Sequence, residues 1–407
     1  MDPRATSGEP AAQNGTVTDF TSMTPDQLRA RGSQKWNNYP ADVIPLWVAE
    51  MDFPMAPAVT EAIHATVAAD GFGYAVKTQE LPSAFAAFAA RRLDQHIDPQ
   101  LTTIIPDVLT GVVLAIQAHS TAGSPVVVPT PSYMPFLAIP GEMGRELVPV
   151  PLVEHTEASD AHHRWTLDLA GIDAAFAAGA RTLILCQPYN PVGRMFTPDE
   201  LRALAEVVDR HGAWVVSDEI HAPLTMPGVR HVGYAGVSDI AASHSSTITS
   251  ASKSFTMPGL PCATITHHTE QANEQWTTNA PAGRIYGATT LGINANIAAF
   301  TQGDEWLDGA MAQVAENSAT MSAWLAEHAP QARYLPAEAT YFAWIDWREC
   351  GLGDAPAEWF LEHAKVWMNS GPAFGEVGKG FSRLNLATTP AILSDALGRM
   401  AGALASR

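Results

Sequence analysis

Three residues could share one piece of chemistry: Asn190, Asp218 and Lys253. Lys253 lies in Thr249-Ser250-Ala251-Ser252-Lys253-Ser254-Phe255, directly after a β-branched run. It is one of five lysines, and no other Asp, Glu, Lys, Arg or His stands between His244 and His267. A lysine held away from water loses part of its preference for the ammonium form and becomes a usable amine, the group that forms Schiff bases. Taken alone, it is also what a structural lysine at a strand end looks like.

The other two supply what such chemistry needs. Asp218, in Ser217-Asp218-Glu219-Ile220-His221, could pair with a protonated ring nitrogen, or simply cap the segment that follows. His221 could touch an oxygen on such a ring, or act as a structural hydrogen-bonder. Asn190, in Gln187-Pro188-Tyr189-Asn190-Pro191-Val192-Gly193-Arg194, sits between prolines as a donor to a ligand oxygen or as part of an ordinary loop exit. Ser250 and Ser252 flank the lysine closely enough to bind a phosphate. Thr110-Gly111-Val112-Val113 reads as a glycine turn opening a helix, which would offer the N–H groups of Gly111, Val112 and Val113 to the same anion. Tyr133 could stack on a flat ring or fill a core.

These residues need a frame. Residues 124–129, 182–186, 214–217 and 247–249 read as short, buried strands, apolar on both faces like parallel strands between helices. Thr197, Pro198 and Glu200 mark the start of a helix by a capping box, Leu201, Leu204, Val207 and Val208 form its apolar stripe, and Gly212 ends it at the C-cap. Strand, helix, strand predicts an α/β fold. Asn190 and Asp218 lie 28 residues apart, and Asp218 and Lys253 35 apart, each after a successive strand. Ligands bind at the carboxyl ends of such strands. From about Leu291 long helices at 294–300 and 305–328 give way to a strand at 341–347 and a helix from Pro356. The expected organisation is a disordered extension (1–20), a segment joining the smaller domain (21–52), a large domain (53–290) and a small α+β domain (291–407).

Composition bounds the function. A formal net charge of −19 argues against nucleic acid or an anionic membrane surface as partner. No apolar run approaches a membrane span, and the polar N-terminus lacks a signal-peptide layout. Three cysteines, 186, 262 and 350, have no metal-ligand spacing, which suits a reducing cytoplasm and no metal.

The order and spacing of these three residues resemble the fold-type I pyridoxal 5'-phosphate (PLP) enzymes of the aspartate aminotransferase superfamily, and Arg383, in Gly380-Phe381-Ser382-Arg383-Leu384-Asn385, matches the arginine that grips the substrate α-carboxylate there, whose guanidinium fork suits a carboxylate. The resemblance narrows to the MalY/PatB-type cystathionine β-lyases. It is carried by Lys35-Trp36, PLWVAEMDF from Pro45, Gly73-Tyr74, NPVGR from Asn190, SDEIH from Ser217 and FGEVGKGFSRLN from Phe374. It covers residues 30–400 and implies a mostly parallel seven-stranded sheet flanked by helices, with a smaller α+β domain. It implies PLP bound through Lys253, Asp218, Asn190, His221 and Tyr133, and a substrate carboxylate held by Arg383, Asn190 and Tyr133. It also implies a homodimer in which Tyr74 reaches the phosphate of the partner subunit. The implied reaction is β-elimination from cystathionine or another S-substituted cysteine, releasing a thiol, pyruvate and ammonia. Lys253 would carry the cofactor and then move the α-proton. An aminotransferase would use the same residues. Pro261 stands eight residues past Lys253, where many aminotransferases carry a phosphate-binding arginine; the lyases commonly lack it too. Extra prolines in Met257-Pro258-Gly259-Leu260-Pro261-Cys262 depart from the family pattern and bear on substrate fit.

Overall fold

The structure, a computed structural model, describes residues 18–75, 78–159 and 161–407. The extension expected at 1–20 therefore lies almost wholly outside the described residues. Seven strands form the main sheet, in spatial order Thr102–Ile105, Ala263–His267, Ser245–Thr249, Trp214–Asp218, Thr182–Cys186, Val126–Thr130 and Leu147–Pro151. The last five are mutually parallel, while Ala263–His267 runs antiparallel to both its neighbours. All residues of the four central parallel strands are buried. A strand with helices on both faces has no polar side to show, which is why these runs are rich in Val, Ile, Leu and Thr and show no alternation of polar and apolar residues.

The connecting helix Pro198–Arg210 begins as its sequence requires: Thr197 Oγ1 accepts from the Glu200 N–H at 3.2 Å, and Glu200 Oε2 accepts from the Thr197 N–H at 2.9 Å. Leu201, Leu204, Val207 and Val208 are buried on one face. His211 is the C-cap, and Gly212, one place later than expected, takes the left-handed turn at φ +54°.

A second, three-stranded antiparallel sheet is made by Phe342–Asp346, Phe381–Asn385 and Asn369–Ser370, with Phe381–Asn385 in the centre. Helices Asp304–His328, Pro356–Ala364 and Pro390–Ala405 accompany it. The helix read from Asn294 begins earlier, at Thr290. Near the N-terminus, Ile44–Pro45 pairs in parallel with Val366–Trp367. Among the described residues no helix is long and apolar enough to cross a membrane.

Candidate active site

The carboxyl ends of the parallel strands share one edge, with Cys186 in register with Asp218 and Asp218 with Ile248. A cavity opens there. Tyr133, Asn190, Asp218, His221, Ser250, Ser252 and Lys253 line it together, with Ala49, Asp107, Val108, Leu109, Pro258, Pro261 and Cys262. Tyr133, Asn190, Asp218 and Lys253 thus meet because each lies at or just past the carboxyl end of a neighbouring parallel strand.

Lys253 sits in a single helical turn, Ala251–Ser254, that starts where the strand Ser245–Thr249 stops. Ser250 caps it, accepting from the Ser252 N–H at 3.0 Å and donating to the Cys262 carbonyl at 2.7 Å. The Lys253 side chain enters the cavity, where Nζ donates to the Ala49 carbonyl at 3.2 Å. Burial first, then the charge of Arg383, lower its pKa to about 8, with Asp218 and Glu50 opposing.

Asp218 is 4% exposed, and Oδ1 accepts from the Ile220 N–H at 3.1 Å. Burial raises its pKa to about 7; the Ile220 bond and Lys253 pull down and Glu219 pushes up. His221 is buried with its ring edge-on to Tyr341 and Phe342 at 6.2 and 5.7 Å. Burial, then the charges of Lys253 and Arg383, lower it to about 3, so its imidazole is neutral. Its Nδ1 is buried without a hydrogen-bond partner among the described residues.

Asn190 is presented by a tight turn in which Tyr189 N–H donates to the Arg194 carbonyl at 2.7 Å and Gly193 N–H to the Tyr189 carbonyl at 2.8 Å. Arg383 comes from the other sheet. Its Nη1 donates to Asn190 Oδ1 at 2.8 Å, and Nη2 donates to the Trp47 carbonyl at 3.1 Å and to Asn369 Oδ1. The guanidinium lies 4.0 Å from the Phe342 ring centre and 5.0 Å from that of Phe374. Its Nε has no hydrogen-bond partner among the described residues, and burial lowers its pKa to about 10. A buried cation surrounded by neutral acceptors and rings is built to receive an anion.

One contribution went unread in the sequence. The segment Trp47–Asp52 drapes its backbone over the site, so four successive carbonyls take donors from it. Trp47 O takes Arg383, Val48 O takes Asn385, Ala49 O takes Lys253, and Glu50 O takes both Asn385 and Lys35. Met51 N–H donates to Thr256 Oγ1 at 2.8 Å, and Thr256 is itself held at φ +55°. A buried ion pair, Lys35 Nζ to Asp52 Oδ2 at 2.8 Å, with Trp36 Nε1 donating to Asp52 Oδ1 at 2.7 Å, pins the far end. Backbone acceptors leave no signature in residue type; the PLWVAEMDF motif from Pro45 marks the segment without revealing that its carbonyls take these donors.

The reading of Gly111, Val112 and Val113 needs correction. The helix starts earlier, at Val108, with Asp107 as N-cap accepting from the Thr110 N–H at 2.8 Å. Gly111 lies inside it, its N–H donating to the Asp107 carbonyl at 3.0 Å. Glycine stands there for packing, since a Cβ would lie 2.4 Å from Ile105 Cδ1. Val108 and Leu109 line the cavity, whereas Gly111, Val112 and Val113 do not. Tyr74 is fully exposed and stays out of this chain's own cavity. Among the described residues no cluster of three His, Cys, Asp or Glu could hold a metal ion.

Residues 41–400 match the family model described as aminotransferase class I and II. The cystathionine β-lyase of Corynebacterium glutamicum is 35% identical, over 93% of this chain and 98% of that protein. The cystathionine β-lyase PatB of Bacillus subtilis is 32% identical, over 89% of this chain and 93% of its own. Among solved structures, cystalysin from Treponema denticola, which contains a pyridoxal 5'-phosphate cofactor, superposes with a TM-score of 0.89 at 26% identity, covering 96% of this chain and all of that one. The strand order, the residues gathered at the strand ends and these full-length similarities agree, and the chain belongs to the class I and II aminotransferase family.

Proposed function

We propose that this chain is a PLP-dependent carbon–sulfur β-lyase acting on cystathionine, cysteine or a related S-substituted amino acid. One observation carries the reading: a single cavity edge holds an amine made less basic by burial, an acid made less acidic by burial and a buried arginine without a carboxylate partner. PLP fits that donor set. Lys253 would hold its aldehyde carbon, Asp218 its ring nitrogen, and Asn190 and the neutral His221 its ring oxygen, with Tyr133 against the ring face. Ser250, Ser252 and the first N–H groups of the helix from Val108 would take the phosphate. When bound, PLP supplies an acceptor for the electron pair left as the substrate α-carbon loses its proton.

The chain does the rest. Arg383 binds the substrate α-carboxylate through its fork, with Asn190 fixing the guanidinium plane. Lys253 would remove the substrate α-proton, and its lowered basicity suits a base working near neutral pH. The Cβ–S bond then breaks with its electron pair on sulfur, and Lys253 returns a proton to that sulfur. The remaining three-carbon unit hydrolyses to pyruvate and ammonia. Asp218 would face the ring nitrogen and hold a proton on it.

The same residues serve an aminotransferase, the reaction that gives the family its description; the named lyases among the relatives favour elimination. Incubating the PLP-loaded protein with cystathionine should release thiol and pyruvate in equal amounts. Transfer of the amino group to a keto acid without thiol release would overturn the lyase reading.

We also read the enzyme as a cytoplasmic homodimer with a large domain (53–290) and a small one (291–407). The exposure of Tyr74, which would meet the phosphate in the partner subunit, supports the dimer. Three free cysteines support a reducing compartment. The pairing of Ile44–Pro45 with Val366–Trp367 supports a join between the 21–52 segment and the small domain.

A further inference from the structure

Behind the acid that faces the cavity lies a second buried acid. Glu219 continues the ladder beyond Asp218, its N–H donating to the Ile248 carbonyl at 2.9 Å. Successive side chains along a strand leave on opposite faces. Asp218 therefore looks into the cavity, and Glu219, 2% exposed, looks into a shell of donors. Its Oε1 accepts from Ser217 Oγ at 2.9 Å and from the Tyr234 N–H at 3.1 Å. Its Oε2 accepts from Gln95 Nε2 at 3.0 Å and from His231 Nε2 at 2.8 Å. The shell is tight enough to fix a residue type nearby: a Cβ on Gly233 would stand 1.8 Å from Gln95 Nε2 and 3.0 Å from Glu219 Oε2.

Four donors match the acceptor capacity of a carboxylate. Burial alone would raise Glu219, but the hydrogen bonds from His231, Gln95 and Tyr234, with the charge of His231, bring it below its ordinary range. It is an anion at neutral pH. Lys253, Cys186 and Tyr133 also interact with the charge of Asp218, and His231 and His268 with that of Glu219. Of these, Glu219 is the carboxylate, fixed one residue from the group that would meet the cofactor ring.

We propose that Glu219 is a positioning residue for the ring nitrogen of the cofactor: clamped as an anion behind Asp218, it holds the strand end in register and strengthens the grip of Asp218 on the proton of that nitrogen. This rests on the placement of PLP proposed above. A purely structural Glu219, tying the loop at 229–234 to the sheet, would affect any ring bound in the cavity alike. One acting through Asp218 affects only a ring with a nitrogen to protonate.

The full chain, stripped of cofactor, is titrated by equilibrium dialysis with PLP and with a deaza analogue in which CH replaces the ring nitrogen. The wild type should prefer PLP. Glu219→Gln should lower that preference by about tenfold, the equivalent of one pK unit at the ring contact, while binding the analogue almost as the wild type does. Equal losses for both ligands, or an undiminished preference, would overturn the inference. Should Glu219→Gln fail to fold, Gln95→Leu removes one donor and keeps the acid, and the preference should then fall by about threefold; an unchanged preference there overturns the proposal too. A wild type without any preference removes the ring nitrogen from Asp218 altogether, which separates failure of the cofactor placement from failure of this inference.

Discussion

Arg383 and Asn190 are joined by a 2.8 Å hydrogen bond from Nη1 to Oδ1, and among the described residues no carboxylate pairs with this buried guanidinium. Leaving a buried cation without a counter-charge is costly unless a ligand supplies one. The two residues come from different sheets, so the anion that binds here also bridges them.

From this follows the behaviour of Arg383→Lys. Lysine keeps the charge but loses the planar fork, the bond to Asn190 and the contact with Phe342. We expect kcat/KM for an amino-acid substrate to fall by at least about 100-fold, most of it in KM. Steady-state kinetics on the PLP-loaded variant measure this, and an unchanged KM would remove Arg383 from carboxylate binding.

Lys253 and Asp218 have been brought close in acidity by the same cause: burial takes the amine down to about 8 and the acid up to about 7. Only the neutral amine attacks an aldehyde, so the fraction ready to react in the cofactor-free protein rises with pH and levels off above pH 8. An ordinary lysine would still be climbing at pH 10. The rate of covalent PLP uptake, followed by absorbance between pH 6.5 and 10, should therefore rise to a midpoint near 8 and flatten. In Lys253→Ala, borohydride treatment should leave the mass of the chain unchanged. Continued rise through pH 10, or a fixed cofactor in the alanine variant, would take this role from Lys253.

Much of this arrangement could be read from sequence because it is periodic or local. The buried strands announce themselves by unbroken apolar runs, and Asn190, Asp218 and Lys253 fall at their ends because a parallel sheet puts all its carboxyl ends on one edge. The helix from Pro198 carries its own start signal. The misread helix start at Val108 had a local signal too, Asp107 as a capping residue, which the glycine at 111 outweighed; that glycine answers to Ile105 and Ile248, contacts no local pattern reveals. The shell around Glu219 is assembled from residues 95, 217, 231 and 234. The carbonyls of residues 47–50 act through backbone, which every residue type shares. Both were out of reach for the same reason: their chemistry exists only after the chain has folded.

Gly193 provides a test of how the turn bearing Asn190 is held. It adopts φ +72°, and a Cβ there would stand 2.4 Å from Ala337 Cβ, a methyl that has no rotamer by which to move away. Its carbonyl also accepts from the Glu338 N–H at 2.8 Å, so the turn cannot slide without breaking that bond. Gly193→Ala thus carries both a backbone penalty and an overpacking penalty, together on the order of 2–4 kcal/mol. Gly212 is the natural control: it is also left-handed, at φ +54°, but a Cβ there meets nothing within 4 Å. Gly212→Ala should cost only about 1 kcal/mol and leave KM untouched. In Gly193→Ala the shift should reach Asn190, three residues away, and raise KM along with the loss of stability. Urea unfolding and steady-state kinetics on both variants separate the two cases. Equal unfolding midpoints, or an unaltered KM in Gly193→Ala, would mean that the turn relaxes without disturbing the Asn190–Arg383 bond.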